Sequence, residues 1–141
     1  MAAASEVMSR SREKKEMRIT LPLKPIGKPR MTQRDKWLNP PRPAVARYRA
    51  FCDEARLHLP KQIPLLPEKV TITAILAMPS RWSKKKREEM KGTPHKQKPD
   101  WDNIGKALSD LIWQNDAVIY HAEVMKVWGE QDFIEVEICT K

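Results

Sequence analysis

A chain of 141 residues with 40% hydrophobic side chains is long enough to bury one core, which excludes disorder throughout and leaves little room for a second domain. Lysine and arginine total 27 against 18 aspartate and glutamate residues, and the net charge of +9 favours a large anionic partner, either nucleic acid or an acidic membrane surface. Two cysteines exclude a disulfide framework. The sequence also has neither the roughly eighteen-residue apolar run of a membrane span nor an apolar signal region, so we expect a soluble cytoplasmic protein without membrane contact.

The first half of the chain predicts a tail, a strand, a long loop and a helix. Residues 1–16 are small, polar and charged, which predicts a flexible tail ahead of a domain over residues 17–141. Residues 17–23 favour a strand, and residues 24–43 hold five prolines among many cations, which predicts an extended loop with a functional role. Residues 44–59 predict a helix, because apolar side chains recur on one stripe. That stripe consists of Val45, Tyr48, Cys52, Ala55 and Leu59.

The second half alternates further helices with strands. Residues 69–78 are rich in β-branched side chains and predict a strand. Residues 83–90 predict a short basic helix with Ser83 as its N-cap, and residues 102–113 predict a longer helix. Further strands are predicted at 117–121, 122–129 and 132–140, with a turn between the last two. Because no βαβ repeat is evident, we expect an α+β fold in which two main helices pack on a small mixed sheet in one domain.

Charge is distributed unevenly along the chain. Residues 24–49 carry eight basic side chains and one acid, and residues 81–98 carry eight more against two acids. Residues 100–141 reverse this balance, with nine acids against three lysines. This pattern suggests that the basic segments hold a polyanion while the acids bind a cation.

The motif KPDWDNIGK concentrates acids and a lysine within one short stretch. Asp100 and Asp102 are two residues apart, so an extended backbone would place both carboxylates on one side. Asp102 is also suited to be the N-cap of the following helix, on which Asp102, Lys106 and Asp110 would share one face. Asp116 is expected on the turn after that helix. Carboxylates converging at such a site suit Mg²⁺, which can activate water and stabilise a phosphodiester transition state.

A plainer interpretation of the same residues requires no catalysis. Asp102 would only cap the helix, Lys106 and Asp110 would form an exposed ion pair, and Asp116 would serve the turn. Spacing alone therefore leaves a metal-dependent phosphodiesterase as one of two interpretations.

The motif in its context resembles the signature of the RusA family of Holliday-junction resolvases, which is common in phage and prophage genomes. The signature is carried by KPDWDNIGKALSDL and by NDAV, which follows it. Earlier segments also match the family pattern, namely Met78-Pro79, WSKKKR and Pro94-His95, and the similarity covers roughly residues 17–139. The resemblance implies a homodimeric, Mg²⁺-dependent endonuclease that needs no small-molecule cofactor. Such an enzyme binds four-way DNA junctions and nicks two strands symmetrically, in recombination or repair. Whether Mn²⁺ replaces Mg²⁺ is left open.

The family's site residues transfer onto four positions of this chain. By position, Asp100, Asp102 and Asp116 match the metal-binding acids, and Lys106 matches the catalytic lysine. The chain departs from the pattern at Asn115, where many members have a second aspartate. Further departures, at Trp101 and Gly105, are expected to affect packing beside the site.

DNA-contacting side chains are predicted in the two basic segments and next to the acid motif. They are Arg30, Arg34, Lys36 and Arg42 in the first segment, Lys84, Lys85, Lys86 and Arg87 in the second, and Lys98 beside the acids. Trp37 and Trp82 stand among these cations, where they would either stack on exposed bases or pack in the core or a dimer seam. Trp113, Trp128 and Tyr120 are assigned to packing, and His95 is expected at the surface.

Two alternatives to a junction resolvase remain. The first is a non-catalytic accessory protein that binds branched DNA with the same basic surface. The second is a nuclease that prefers flaps, forks or plain duplex. Magnesium-dependent nicking would exclude the first, and competition between junction and linear duplex would separate the second.

Overall fold

The fold is a four-stranded mixed sheet with helices on one face. The computed structural model describes residues 15–114 and 116–140, with the backbone alone at Lys15 and Asp116. Within these ranges the strands are β1 (Lys15–Leu21), β2 (Lys69–Ala77), β3 (Ala122–Gly129) and β4 (Phe133–Thr140). The α-helices are α1 (Pro43–Arg56), α2 (Lys84–Met90) and α3 (Trp101–Trp113), and short 3-10 helices cover Gln33–Lys36 and Asp116–Val118.

The strands are arranged in the order β1-β4-β2-β3. Strand β4 pairs antiparallel with both of its neighbours, so that Val136 lies opposite Ile19 on β1 and Ile72 on β2. Strands β2 and β3 are parallel, with Ile72 beside Val124. A parallel pair needs a crossover connection, and here α2 and α3 lie within that connection. The predicted α+β fold is confirmed, and it contains one parallel crossover.

The core lies between one face of the sheet and helices α1 and α3. Burial alternates along β2 and β4, as expected for strands with one covered face. On α3 the apolar face is buried at Ile104, Ala107, Leu108 and Leu111. Polar side chains such as those of Thr71, Thr73, Glu135 and Glu137 line the other face of the sheet. Because the buried side chains of α3 run from one end of the helix to the other, the sheet holds the helix along its whole length. The first turns of α3 lie against β3, where Gly105 is next to Val124.

Strand β3 is also paired along its outer edge by the segment that precedes the acid motif. The Gly92 amide donates to the Trp128 carbonyl at 2.8 Å, and the Trp128 amide donates to the Thr93 carbonyl at 3.0 Å. The His95 amide donates to the Lys126 carbonyl at 2.9 Å. These bonds hold residues 92–95 against the sheet shortly before the chain reaches Asp100.

Several element boundaries differ from the predictions. The strand predicted at 117–121 is wrong, because Asp116–Val118 forms a 3-10 helix and β3 begins only at Ala122. Strand β1 begins at Lys15, inside the predicted tail, and the tail's residues 1–14 lie outside the described residues. Helix α1 ends at Arg56 and does not reach Leu59. Among the described helices, none has the length and apolar character that crossing a membrane requires.

The packing predictions for single side chains gave mixed results. Trp113 and Trp128 are buried as predicted, and the Trp113 indole donates to the Pro64 carbonyl at 2.8 Å. Tyr120 is 75% exposed, so its assignment to packing is wrong. His95 is only 5% exposed, so the expected surface position is also wrong. Its imidazole lies 4.3 Å from the Trp128 ring, centroid to centroid, and pairing with the edge of β3 holds it there.

Candidate active site

The N-terminal end of α3 carries the two acids of the motif. Asp100 occupies the N-cap position, and Asp102 lies in the first helical turn. The prediction that Asp102 caps the helix is therefore wrong, and so is the extended geometry proposed for the pair. The Asp100 side chain makes no capping hydrogen bond, whereas Ser83, at the N-cap of α2, accepts one from the Lys86 amide at 3.2 Å. The Asp100 carboxylate is thus not used for capping.

Asp102 and Lys106 face one another across one turn of α3. Lys106 Nζ lies 3.9 Å from Asp102 Oδ2, and the two side chains are 62% and 49% exposed. This ion pair is long and open to solvent, so either partner can exchange it for another ligand at little cost. Asp110, expected on the same face, instead forms an ion pair with Lys28 from the first basic loop.

An open groove with a volume of about 600 Å³ borders Asp100. Its charged lining consists of Lys24, Lys28, Lys98 and Asp100. The loop is attached here because the Lys28 amide donates to the Asn103 carbonyl at 3.1 Å. A Cβ on Gly27 would lie 3.0 Å from the Cβ of Asn103, so glycine permits this close approach. The groove thus brings lysines alongside Asp100, as a phosphate-binding track requires.

Lys126 supports the motif from the sheet. Its Nζ donates to the carbonyls of Gln97, at 2.5 Å, and of Pro99, at 2.8 Å. Lys126 pairs in register with buried Ala74 and therefore lies on the covered face of the sheet, towards α3. A strand lysine thus fixes the backbone directly before Asp100.

Asp116 is placed apart from the other acids by the arrangement of elements. It begins the 3-10 helix that follows α3, whereas Asp100 and Asp102 are at the start of α3. A helix of 13 residues is about 20 Å long, so the pair and this turn lie at opposite ends of α3. The described residues place Asp100 and Asp102 two residues apart at the start of α3 and pair Asp102 with Lys106, and the side chain of Asp116 is not among them.

The donor chemistry of the pair fits a hard divalent cation. Both side chains offer carboxylate oxygens on an open surface, and Mg²⁺ is commonly held by one or two carboxylates together with waters and substrate phosphates. Among the described side chains, no group of three or more His, Cys, Asp or Glu residues could hold a metal ion. The described donors therefore suit a cation that shares its coordination with water and phosphate.

In the first basic loop, a buried acid organises the cations. Asp35, only 3% exposed, accepts hydrogen bonds from Arg42 Nε at 2.7 Å and Nη2 at 2.8 Å, and from the Thr32 amide at 2.7 Å. These bonds, those from Arg42 foremost, hold the pKa of the Asp35 carboxyl well below its usual range. Arg42, predicted to contact DNA, is thus engaged within the loop although its side chain is 46% exposed, and Arg30, Arg34 and Lys36 are exposed as well.

The second basic segment forms a solvent-exposed helix beside two tryptophans. No residue of α2 is buried; Lys84, Lys85 and Lys86 are exposed and Arg87 is partly so. Lys86 Nζ lies 4.3 Å above the centre of the Trp82 ring, which packs on Trp128 with ring centroids 4.9 Å apart. Trp82 is therefore a packing residue that positions α2, whereas Trp37 is 83% exposed.

Sequence reasoning missed Lys28, Lys126 and the role of Asp35. A period-two pattern on β3 could have revealed Lys126, because Val124, Lys126 and Trp128 alternate on one face of a strand. A lysine on a face that also buries a tryptophan needs partners, here two backbone carbonyls. Lys28 has no local signal, because its partner Asp110 is set by how the loop meets α3. Asp35 could have been found as the one acid among eight bases, three residues after Thr32 in a capping-box spacing.

An acid pair with a neighbouring lysine, bordered by a cation-lined groove, defines a site suited to cleaving phosphodiesters. Comparison with known families gives the same class: the family model described as Endodeoxyribonuclease RusA matches residues 22–139. The chain therefore belongs to the RusA family and is an endodeoxyribonuclease of the class that resolves Holliday junctions. No individual curated protein matches it.

Proposed function

We propose that this chain is a Mg²⁺-dependent nuclease that acts as a homodimer in the cytoplasm and resolves four-way DNA junctions by paired, symmetric nicks. The observation that carries the catalytic part is the carboxylate of Asp100, which makes no capping hydrogen bond at the N-cap of α3 and lies two residues before Asp102, whose partner Lys106 is one turn further along the helix. An aspartate that served only as a cap would accept a backbone hydrogen bond there, as Ser83 does on α2.

Asp100 and Asp102 are the residues that would hold the metal ion. When bound, such an ion activates a water and stabilises the charge that develops on the phosphate. Asp116 matches the third acid of the family signature, and its contribution to this site is part of the proposal.

Lys106 supplies positive charge next to the acids. Its ammonium exchanges its long contact with Asp102 for a nonbridging or leaving oxygen of the phosphate. Two lysines of the groove, Lys24 and Lys98, bind the backbone of the strand on the Asp100 side, whereas Lys28 is held by its ion pair with Asp110.

A homodimer follows from the symmetry of the substrate. A four-way junction has a two-fold axis, and two equivalent sites related by a C₂ axis can cut two of its strands symmetrically. Binding through many lysines and arginines predicts that affinity falls steeply as salt rises.

The test uses an end-labelled four-way junction in the presence of excess linear duplex, with and without Mg²⁺. Wild type is compared with Asp100→Asn and with Asp53→Asn, an exposed aspartate on α1 that forms only a surface pair with Arg56. We expect paired nicks that require Mg²⁺, that Asp100→Asn abolishes and that Asp53→Asn leaves intact. Asp116→Asn in the same series determines whether the third acid is needed.

Other outcomes identify the alternatives. Tight junction binding without nicks under Mg²⁺ or Mn²⁺ would indicate a non-catalytic accessory protein that binds branched DNA. If flaps, forks or duplex are nicked with metal at the same rate as junctions, the chain is a nuclease but has no preference for junctions. Nicking by Asp100→Asn at the wild-type rate would refute the site.

A further inference from the structure

Trp37 is the most exposed large apolar side chain among the described residues. It is 83% exposed and follows the 3-10 helix Gln33–Lys36 in the first basic loop. Its neighbours Arg34 and Lys36 are exposed as well. A partner that binds this loop therefore meets the apolar face of the indole together with the positive charges of Arg34 and Lys36.

The backbone that carries Trp37 is held in place from several directions. The amides of Trp37 and Leu38 both donate to the Arg34 carbonyl, at 3.1 and 3.2 Å. The Arg42 guanidinium binds the Asp35 carboxylate and also donates to the Arg30 carbonyl at 2.9 Å. Binding this loop to a partner therefore requires little additional ordering of its backbone.

An open cleft lies within the same loop. Its lining includes Arg30, Arg34, Arg42 and Leu38, the residue that follows Trp37 in sequence. The only acid in this lining, Asp35, is already paired with Arg42, so the cleft presents net positive charge. Such a cleft suits phosphate oxygens, which the planar guanidinium groups of arginine bind with two parallel hydrogen bonds.

We infer that Trp37 is a base-stacking site, whose indole covers the face of an unpaired or unstacked nucleobase while Arg30 and Arg34 hold the phosphates of the same strand. The inference rests on the proposed function and adds a source of selectivity. In continuous duplex each base face is covered by its neighbours. An indole therefore finds a free face only where stacking is interrupted, as at a branch point or in a single strand.

The experiment measures binding in EDTA, so that it does not depend on cleavage. Trp37→Ala, Trp37→Leu and Trp37→Phe are compared on four-way junction and on linear duplex. Leu57→Ala, at an 82% exposed position after α1, is the matched surface control. Circular dichroism and thermal unfolding check that each variant folds, as the exposure of Trp37 predicts.

We expect Trp37→Ala and Trp37→Leu to weaken junction binding about 5- to 150-fold, the range typical for loss of one base–aromatic stack, with less than about a twofold change on duplex. Trp37→Phe retains most of the affinity, because a ring remains, whereas Leu keeps apolar bulk without one. 2-Aminopurine placed at the branch point should be quenched by wild type and not by Trp37→Leu.

Three results would overturn the inference. The variants could bind junctions as wild type does, or lose affinity equally for junction and duplex, or change the sedimentation of the free protein, which would assign Trp37 to a contact between two copies. If wild type shows no junction preference, the junction part of the proposed function fails. In that case 2-aminopurine is placed in a single-stranded oligonucleotide, and quenching by wild type but not by Trp37→Leu still decides whether Trp37 stacks on bases.

Discussion

Replacing Lys126 with methionine tests how the acid motif is held in place. The substitution keeps the aliphatic stem and removes the ammonium that donates to the carbonyls of Gln97 and Pro99. Hydrogen bonds to charged groups contribute about 1.5 to 3 kcal/mol each where water is excluded. Because this loop is partly open to water, which can replace both bonds, we expect a loss of roughly 1 to 2 kcal/mol in the free energy of unfolding. For a chain of this length that lowers the melting temperature by roughly 3 to 7 °C.

The same change should slow catalysis more than it weakens DNA binding. Asp100 follows Pro99 directly, so loosening the Pro99 carbonyl displaces the carboxylate from its working position. Displacements of about 1 Å in catalytic groups lower rates by up to about 100-fold. We therefore expect single-turnover nicking by Lys126→Met at saturating DNA to fall about 10- to 100-fold, to need more Mg²⁺, and to recover in part in Lys126→Arg.

Lys69→Met provides the matched control for this experiment. Lys69 lies on the neighbouring strand β2 and forms a surface ion pair with Glu123 at 3.1 Å, which contributes about 1 kcal/mol at most. It should unfold and nick much as wild type does. If Lys126→Met loses stability but nicks at the wild-type rate, Lys126 is only structural. If junction affinity falls and the rate does not, the ammonium contacts DNA directly.

Three further changes probe other parts of the molecule. Asp102→Asn should abolish nicking while junction affinity in a gel-shift assay stays the same or rises, because a negative charge facing phosphate is removed; nicking at the native rate would contradict this. Gly105→Ala should stabilise α3 by about 0.5 to 1 kcal/mol in urea unfolding, because alanine favours helix and its Cβ would meet Val124 Cγ2 at an ordinary 3.4 Å; a loss of stability would show that this contact is too tight. Burial, followed by the charge of Lys126, lowers the pKa of His95 below its usual 6.5. The unfolded chain therefore binds a proton that the folded chain does not, and stability should decline as pH falls below 6.5; His95→Gln should remove that part of the slope.

Much of the fold could be predicted from local patterns. The helix predicted at 102–113 and the strand predicted at 132–140 depend on side-chain periodicity within one element, and both are confirmed as α3 and β4. The end of α1 and the segment 117–121 were predicted wrongly: the apolar stripe of α1 extends in sequence to Leu59, and residues 117–120 are strand-forming in type, but the backbone continues neither element. The parallel pairing of β2 and β3 arises from contacts distant in sequence.

The chemical groups of the candidate site could be predicted from the sequence, but the contacts that hold them in place could not. Asp100, Asp102 and Lys106 stand in one motif, and their proximity follows from the start of a helix. The bonds from Lys126 and the pairing of Lys28 with Asp110 join residues 27 or more positions apart. Nothing in the local sequence specifies such partners, because each depends on how a loop meets another element.

The order of strands in the sheet sets when this nuclease can first act. β4 follows the other strands in sequence, yet it lies between β1 and β2 and supplies Ile134, Val136 and Ile138 to the core. While the ribosome is still making β4, strands β1 and β2 have no common partner and α3 has no complete sheet to pack against. The acids at the start of α3 are therefore synthesised well before they can be held in place. A chain that lacks β4 therefore carries the acids of the motif without the completed sheet that holds them in place.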